Sequence, residues 1–303
     1  MSATLPPNGT SRDVLLAEME SARVNDVKWR EGRLGLYVHF GGDDVLQVAK
    51  DAYLSFFSEN ALGPTAFPSL KKFETEVVAW TASILNGKET AAGNISSGGT
   101  ESIFLAMKSI RGWARSQGRG GSQPVLVAPY SAHPAFDKAA DLLGMRVKRV
   151  ALADDFCANV AAMRDAVDGD TVAIMGSAPG FPHGVIDAIE DIAAIALEKD
   201  LWMHVDACVG GFVLPFARAA GYPIPPFDFA VEGVRSMSAD LHKYGFAAKG
   251  ASAIVYRDAE SHAFQPFEFD AWPRGRYAVP TFAGSRPGGA VAAAWAVMRY
   301  LGR

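Results

Sequence analysis

The stretch TVAIMGSAPGFPHGVIDAIEDIAAIALEKDLWMHVD, residues 171–206, decides the fold. It opens with an apolar run, Thr171 to Met175, and closes with another, Leu201 to Val205. Ala188 to Lys199 between them reads as a helix. Strands that are apolar throughout are buried on both faces, and a helical crossover makes such strands parallel. The pattern continues outward. Upstream lie a strand at Val125 to Val127, a helix at Pro134 to Leu143, a strand at Val147 to Val150 and a helix at Asn159 to Val167. Downstream, Val234 to Ser238 and Ser252 to Tyr256 read as strands. The expected class is α/β, a mostly parallel sheet covered by helices on both faces.

Before this core the pattern is helical. Val14 to Asn25 and Gly41 to Ser58 read as helices, with a loop at Asn60 to Pro68 broken by Gly63, Pro64 and Pro68. Ser69 to Leu85 is an amphipathic helix with Ser69 as the expected N-cap. Residues 97–100 turn into a helix that runs to about Arg115. Gly288 to Leu301 reads as a helix that is apolar nearly all round, the pattern of a buried helix. With nothing after it to cover it, either a partner chain is expected there or a further domain. On that reading the chain of 303 residues would be only marginally folded and prone to aggregate.

Composition narrows the function. With 49% apolar and 20% charged residues, the chain is ordinary globular protein. A net charge of −4 supplies no basic surplus for a phosphate backbone, so nucleic acid is not an expected partner. Two cysteines, Cys157 and Cys208, cannot build a disulfide framework. No signal peptide or membrane span is legible, which gives a cytoplasmic expectation.

Four clusters carry chemistry. Ser238-Ala239-Asp240-Leu241-His242-Lys243-Tyr244-Gly245 comes directly after a strand, and Lys243 there suits an amine that attacks a carbonyl once burial lowers its pKa. Asp206 ends the strand Leu201 to Val205, where α/β sheets face their ligands, and could hold a pyridinium proton. Ser97-Gly98-Gly99-Thr100 opens a helix whose free N–H groups can meet a phosphate. His133 lies just after the strand Val125 to Val127 and offers a flat ring for stacking. Each also has an ordinary reading: a loop lysine, a turn-capping Asp, a capping box with Ser97 or Thr100 as N-cap, a turn histidine. His39, His183 and His262 lack metal-ligand spacing, so no metal is expected.

Taken along the chain, the phosphate cup, the stacking His133, the strand-end Asp206 and the Lys243 after His242 stand in the order of a fold-type I pyridoxal-phosphate enzyme. The chain resembles the sphingosine-1-phosphate lyase family within the group II pyridoxal-phosphate decarboxylases. The resemblance rests on SSGGTES (96–102), SAHPAFDKAA (131–140), GSAPGFPHGVID (176–187), HVDACVGGF (204–212), DFAVEGVRSMSADLHKYGFAAKG (228–250) and PTFAGSRPGG (280–289). It implies pyridoxal 5'-phosphate as cofactor, bonded by Lys243, with Asp206 on the pyridine nitrogen and His133 on the ring. It implies a phosphate cup of Gly98, Gly99 and Thr100 completed by Ser238 and His242. Lys249, Tyr37 and Asn60 match substrate-side positions, the last two often reaching a neighbouring subunit, so a homodimer is implied. The chain departs from the pattern at Gly63, where the family has His, and at Phe181, where it has Tyr. The family also continues for more than a hundred residues beyond the position of Arg303.

The implied organisation is an N-terminal segment (1–68), a cofactor-binding large domain (69–270) and the start of a connection (271–303) to a small C-terminal domain that is absent. The implied activity is carbon–carbon cleavage of a phosphorylated sphingoid base to a fatty aldehyde and phosphoethanolamine. An amino-acid decarboxylase of glutamate type shares the cofactor residues but usually lacks counterparts of Cys208 and Lys249. A truncated, inactive homologue is the third reading.

Overall fold

The computed structural model describes residues 4–31, 37–63 and 65–302; Met1, Pro64 of the expected loop and Arg303 lie outside them. The chain forms two units, residues 1–39 and 40–303. The first carries α1 (Arg12–Ala22) and a short 3-10 turn, Arg23–Asn25. The division does not coincide with the expected boundary at residue 68, because the residues after His39 pack into the larger unit.

That unit begins with two helices, α2 (Asp43–Ser55) and α3 (Pro68–Ile84), then β1 (Ala92–Ser96) and α4 (Gly99–Ser116). Next comes the alternation expected from the apolar runs. It comprises β2 (Val125–Pro129), α5 (Ala135–Leu143), β3 (Arg146–Val150), α6 (Val160–Ala166), β4 (Thr171–Ser177), α7 (Ile189–Glu198) and β5 (Trp202–Asp206). The chain then runs through α8 (Leu214–Ala219), β6 (Val234–Ala239), β7 (Ser252–Tyr256) and α9 (Ala259–His262). A hairpin of β8 (Phe267–Phe269) and β9 (Tyr277–Val279) leads into α10 (Gly288–Leu301). Seven strands form one sheet in the order β1-β7-β6-β5-β4-β2-β3. Only β7 runs against its neighbours; the pairs from β6 to β3 are parallel.

Successive residues of the central strands feed opposite cores, as the two-residue strand period requires. Val125, Val127, Met203 and Val205 pack on one face with α3, α7 and α10. Leu126, Ala128 and Trp202 pack on the other with α4 and α5.

Two expectations are corrected. Ser69 does not cap α3: Pro68 occupies the first helical turn, where its missing N–H costs nothing, and no side chain caps the end. More consequentially, α10 is not left bare. Val291, Ala293, Ala294 and Val297 are buried. Val297 and Ala293 pack with Val45 and Ala49 of α2, and Trp295 stacks on Phe73 of α3 at 4.4 Å. The cover comes from elements that precede the helix by more than two hundred residues in sequence, so the local pattern around residues 288–301 carries no trace of it. Tyr300 and Leu301 at its end remain about half exposed. The expected cause of marginal folding is therefore largely removed.

Candidate active site

The strand ends meet at one place. β5 delivers Asp206 at its carboxyl end, and β6 continues through Asp240 to Lys243. Two backbone bonds prolong the pairing beyond the sheet, Ala207 N–H to Ser238 O at 2.9 Å and Asp240 N–H to Cys208 O at 3.3 Å. Asp206 and Asp240 are thus carried into the same region on adjacent, nearly buried backbones.

Lys243 Nζ lies 2.9 Å from Asp240 Oδ2, and His242 Nε2 lies 3.6 Å from the same oxygen. Burial pushes the Lys243 ammonium down, but the facing acids outweigh it and the group sits above the ordinary lysine value. Cys208 contributes there only as a thiolate, and burial holds that thiol well above its usual range. The carboxylates Asp240 and Asp206 pull in the same, upward direction. Burial acts on Lys243 in the expected direction, and the buried carboxylate paired with the amine opposes it. Asp240 is a residue of this site that the motif alone does not single out, although it stands three positions before Lys243.

Asp206 Oδ1 accepts from the Cys208 N–H (3.1 Å) and from Ser238 Oγ (3.2 Å). Ser238 thus supports Asp206, and its hydroxyl is not directed into the glycine cup. His242 is placed at the cup: a methyl group added to Gly98 would lie 3.3 Å from His242 Cε1. Burial holds the His242 imidazolium below the usual value, against the pull of Asp240.

The cup is the start of α4. Gly98 is the N-cap, no side chain caps the helix, and neither Ser97 nor Thr100 takes that place. Glu101 instead reaches back with Oε2 to the Ser97 N–H (2.7 Å) and with Oε1 takes the Phe282 N–H (2.8 Å). The first-turn N–H groups of Gly99 and Thr100 have no helical acceptor, the ordinary condition of a helix start. The Gly99 backbone passes against the far wall, since a methyl group there would stand 2.9 Å from both Asp240 Oδ2 and Cys208 Sγ.

His133 is exposed at the start of α5, and its Nδ1 accepts the Ala135 N–H at 3.1 Å. Lys249 Nζ binds the His242 carbonyl at 2.8 Å. Partial burial and the nearby Lys243 lower its pKa, against the pull of Asp240. Asn60 is tied to the 285–287 segment: its Nδ2 meets Ser285 Oγ at 3.0 Å, and its Oδ1 accepts from the Leu62 and Arg286 N–H groups. Tyr37 belongs to the first unit and is exposed there.

Two further residues hold the frame. Arg286 forms a two-pronged ion pair with Glu74 of α3, at 2.7 and 2.9 Å, and also binds the Ile95 and Ala61 carbonyls. Asp187 accepts the Ser177 and Ala158 N–H groups, each at 2.7 Å, and burial raises its pKa.

The residues fit pyridoxal phosphate on structural grounds. An amine sits beside a buried carboxylate whose other oxygen, Asp240 Oδ1, has no hydrogen-bond partner among the described residues. A second carboxylate ends the neighbouring strand, and two glycines open a helix against both walls. No helix among the described residues is long and apolar enough to cross a membrane.

Comparison with known proteins agrees. The family model for the pyridoxal-dependent decarboxylase conserved domain matches residues 10–271. A sphingosine-1-phosphate lyase of Arabidopsis thaliana is 46% identical over 98% of this chain and 56% of its own length. That of Rattus norvegicus is 44% identical over 99% and 52%. The chain thus spans about half the length of these relatives. A probable L-tyrosine/L-aspartate decarboxylase of Methanothermobacter thermautotrophicus is 35% identical over 84% of the chain and 68% of its own. Among solved structures, the sphingosine-1-phosphate lyase of Burkholderia pseudomallei superposes with a TM-score of 0.96 at 41% identity, covering all of this chain and 71% of that one. The glutamate decarboxylase of Lactobacillus brevis, at 20% identity and a TM-score of 0.82, shares the fold. With a lysine, two carboxylates and a glycine cup at the strand ends, and with these relatives, the chain belongs to the pyridoxal-dependent decarboxylase family, on its sphingosine-1-phosphate lyase branch.

Proposed function

We propose that the protein of which this chain is part is a pyridoxal-phosphate-dependent carbon–carbon lyase. It would cleave a phosphorylated sphingoid base, or a related amino alcohol phosphate, to a fatty aldehyde and phosphoethanolamine. The observation that carries this reading is the pairing of Lys243 with buried Asp240 opposite Gly99, in a chain 46% identical to a sphingosine-1-phosphate lyase along 98% of its length. The cofactor, when bound, supplies an electron sink for the pair released as the bond between Cα and Cβ breaks.

The chain's own residues supply the rest. Lys243 is the amine that bonds the cofactor, and Asp240, at 2.9 Å, holds its proton until then. Asp206 would keep a proton on the ring nitrogen by charge pairing. Gly98, Gly99 and Thr100 offer the phosphate their N–H groups, with His242 at the rim. His133 would stack on the ring, while Lys249, Asn60 and Tyr37 would serve the substrate, the last from a second copy in a cytoplasmic homodimer. Gly63 and Phe181 alter the substrate side relative to the family pattern.

The test offers phosphorylated sphingoid bases and amino acids in parallel and identifies products by mass spectrometry. Fatty aldehyde from the first set, lost in Lys243→Ala together with borohydride-fixed cofactor, is the expected result. Carbon dioxide release from amino acids alone would establish the decarboxylase reading, and no turnover with either set the inactive one.

A further inference from the structure

Beneath Asp206, a row of polar side chains runs down the seam between β5 and β6. Trp202, His204 and Asp206 alternate along one face of β5, and Ser236 and Ser238 along the same face of β6. The strand register sets His204 against Ser236 and Asp206 against Ser238. All five are at least nine-tenths buried. Trp202 Nε1 lies 2.9 Å from Ser236 Oγ, which lies 2.8 Å from His204 Nδ1. His204 Nε2 lies 3.3 Å from Ser238 Oγ, which lies 3.2 Å from Asp206 Oδ1.

We propose that Trp202, Ser236, His204 and Ser238 form a one-way hydrogen-bond relay that ends on Asp206 and positions it for the ring nitrogen of the cofactor. Donor chemistry sets the direction. An indole N–H only donates, so Ser236 Oγ accepts from Trp202. The Ser236 hydroxyl proton then has His204 Nδ1 as its acceptor, and the imidazole carries its own proton on Nε2. That proton points to Ser238 Oγ, whose hydroxyl is released to donate to Asp206. The opposite tautomer would bring two N–H donors onto Ser236 and leave its proton without a partner inside the core.

The surroundings hold this order in place. Full burial pulls the His204 pKa down to about 4, against the attraction of Asp206, so the ring is neutral and has one donor. Phe136 meets the imidazole edge-to-face at 5.8 Å. Trp202 is gripped by the Arg235 guanidinium at 4.6 Å and by Trp113 at 5.9 Å. His204, Asp187, Cys208 and Lys243 each feel the charge of Asp206, and the Cys208 thiol is also hydrogen-bonded to the Ser238 side chain. None of them replaces the Ser238 hydroxyl at Asp206 Oδ1, whose other donor is the Cys208 N–H.

The relay acts through Asp206 and so rests on the cofactor reading, but its direction is testable without cofactor. Nitrogen-15 NMR of the histidine-labelled chain should show His204 protonated at Nε2 and bare at Nδ1 at neutral pH. The reverse assignment overturns the relay whatever the protein binds. Trp202→Phe, which keeps an aromatic ring and removes the N–H, should erode the single tautomer; an unchanged tautomer overturns the role of Trp202. The link to the ring nitrogen is tested by binding. Ser238→Ala should weaken pyridoxal phosphate about tenfold, the worth of one hydrogen bond to a charged group. The same variant should leave a 1-deaza analogue, which lacks that nitrogen, unaffected, and Ser238→Thr should restore the loss. Equal weakening for both ligands would mark Ser238 as structural only and overturn its positioning role.

Discussion

Replacing Glu74 by Ala should do more damage than its place on a surface-lying helix suggests. Arg286 and Glu74 keep only 10% and 15% of their side chains exposed. Removing the carboxylate leaves a nearly buried guanidinium with two carbonyls and no counter-charge, a change that costs about 3–5 kcal/mol. Glu74 Oε1 also takes the Ile95 N–H at 2.9 Å, and losing that acceptor adds about 1 kcal/mol. The sum approaches the whole stability of a typical domain, about 5–15 kcal/mol. Urea unfolding monitored by tryptophan fluorescence measures it. With a slope of about 1–3 kcal/mol/M, the midpoint should fall by roughly 2 M. A second arm separates ion pair from packing: in Glu74→Leu with Arg286→Met, similar volumes fill the site without charge, and the loss should be smaller than in Glu74→Ala. A Glu74→Ala loss below about 1 kcal/mol, or a double variant as unstable as the summed singles, would refute the reasoning.

Two other outcomes are expected. Gly99→Ala should lower cofactor affinity at least tenfold and cost about 1–3 kcal/mol, because the added methyl group meets Asp240 and Cys208 at 2.9 Å; cofactor titration and thermal unfolding read the two effects. The wild-type chain should lose about 3 kcal/mol of stability between pH 7 and pH 4 through His204. Its pKa falls from 6.5 to about 4 on folding, so the unfolded chain binds the proton first, and stability is present above pH 6.5 and lost as pH falls toward 4. His204→Gln should flatten that part of the profile, and an unchanged slope would count against a buried neutral ring.

The legible parts of the molecule are those where one local property decides. Apolar runs reveal the parallel strands because both faces of β2, β4 and β5 are buried. β1 escapes such a reading because AGNIS has no apolar run; it pairs antiparallel with β7 at the sheet edge, and three of its five residues are only partly buried. The lysine and the strand-end carboxylate stand in the sequence as motifs. Asp240 does not declare itself, since its significance is a 2.9 Å contact that exists only after the turn at 240–243 forms. The family resemblance groups Ser238 with the phosphate cup, and strand alternation puts its hydroxyl 3.2 Å from Asp206 Oδ1. The Glu74–Arg286 pair joins residues 212 positions apart, a partnership no spacing rule could suggest.

The cover of α10 by α2 and α3 sets a timetable for the nascent chain. The larger unit cannot close its core until its last helix has been made, because the surface that receives that helix is synthesised first. At about 5–20 residues per second, α2 would wait roughly ten to fifty seconds on the ribosome for its partner. During that interval Val45 and Ala49 lack Ala293 and Val297, and the Phe73 ring lacks Trp295. Chaperone engagement in the cell should therefore peak on nascent chains that have emitted the first helices and not yet the last.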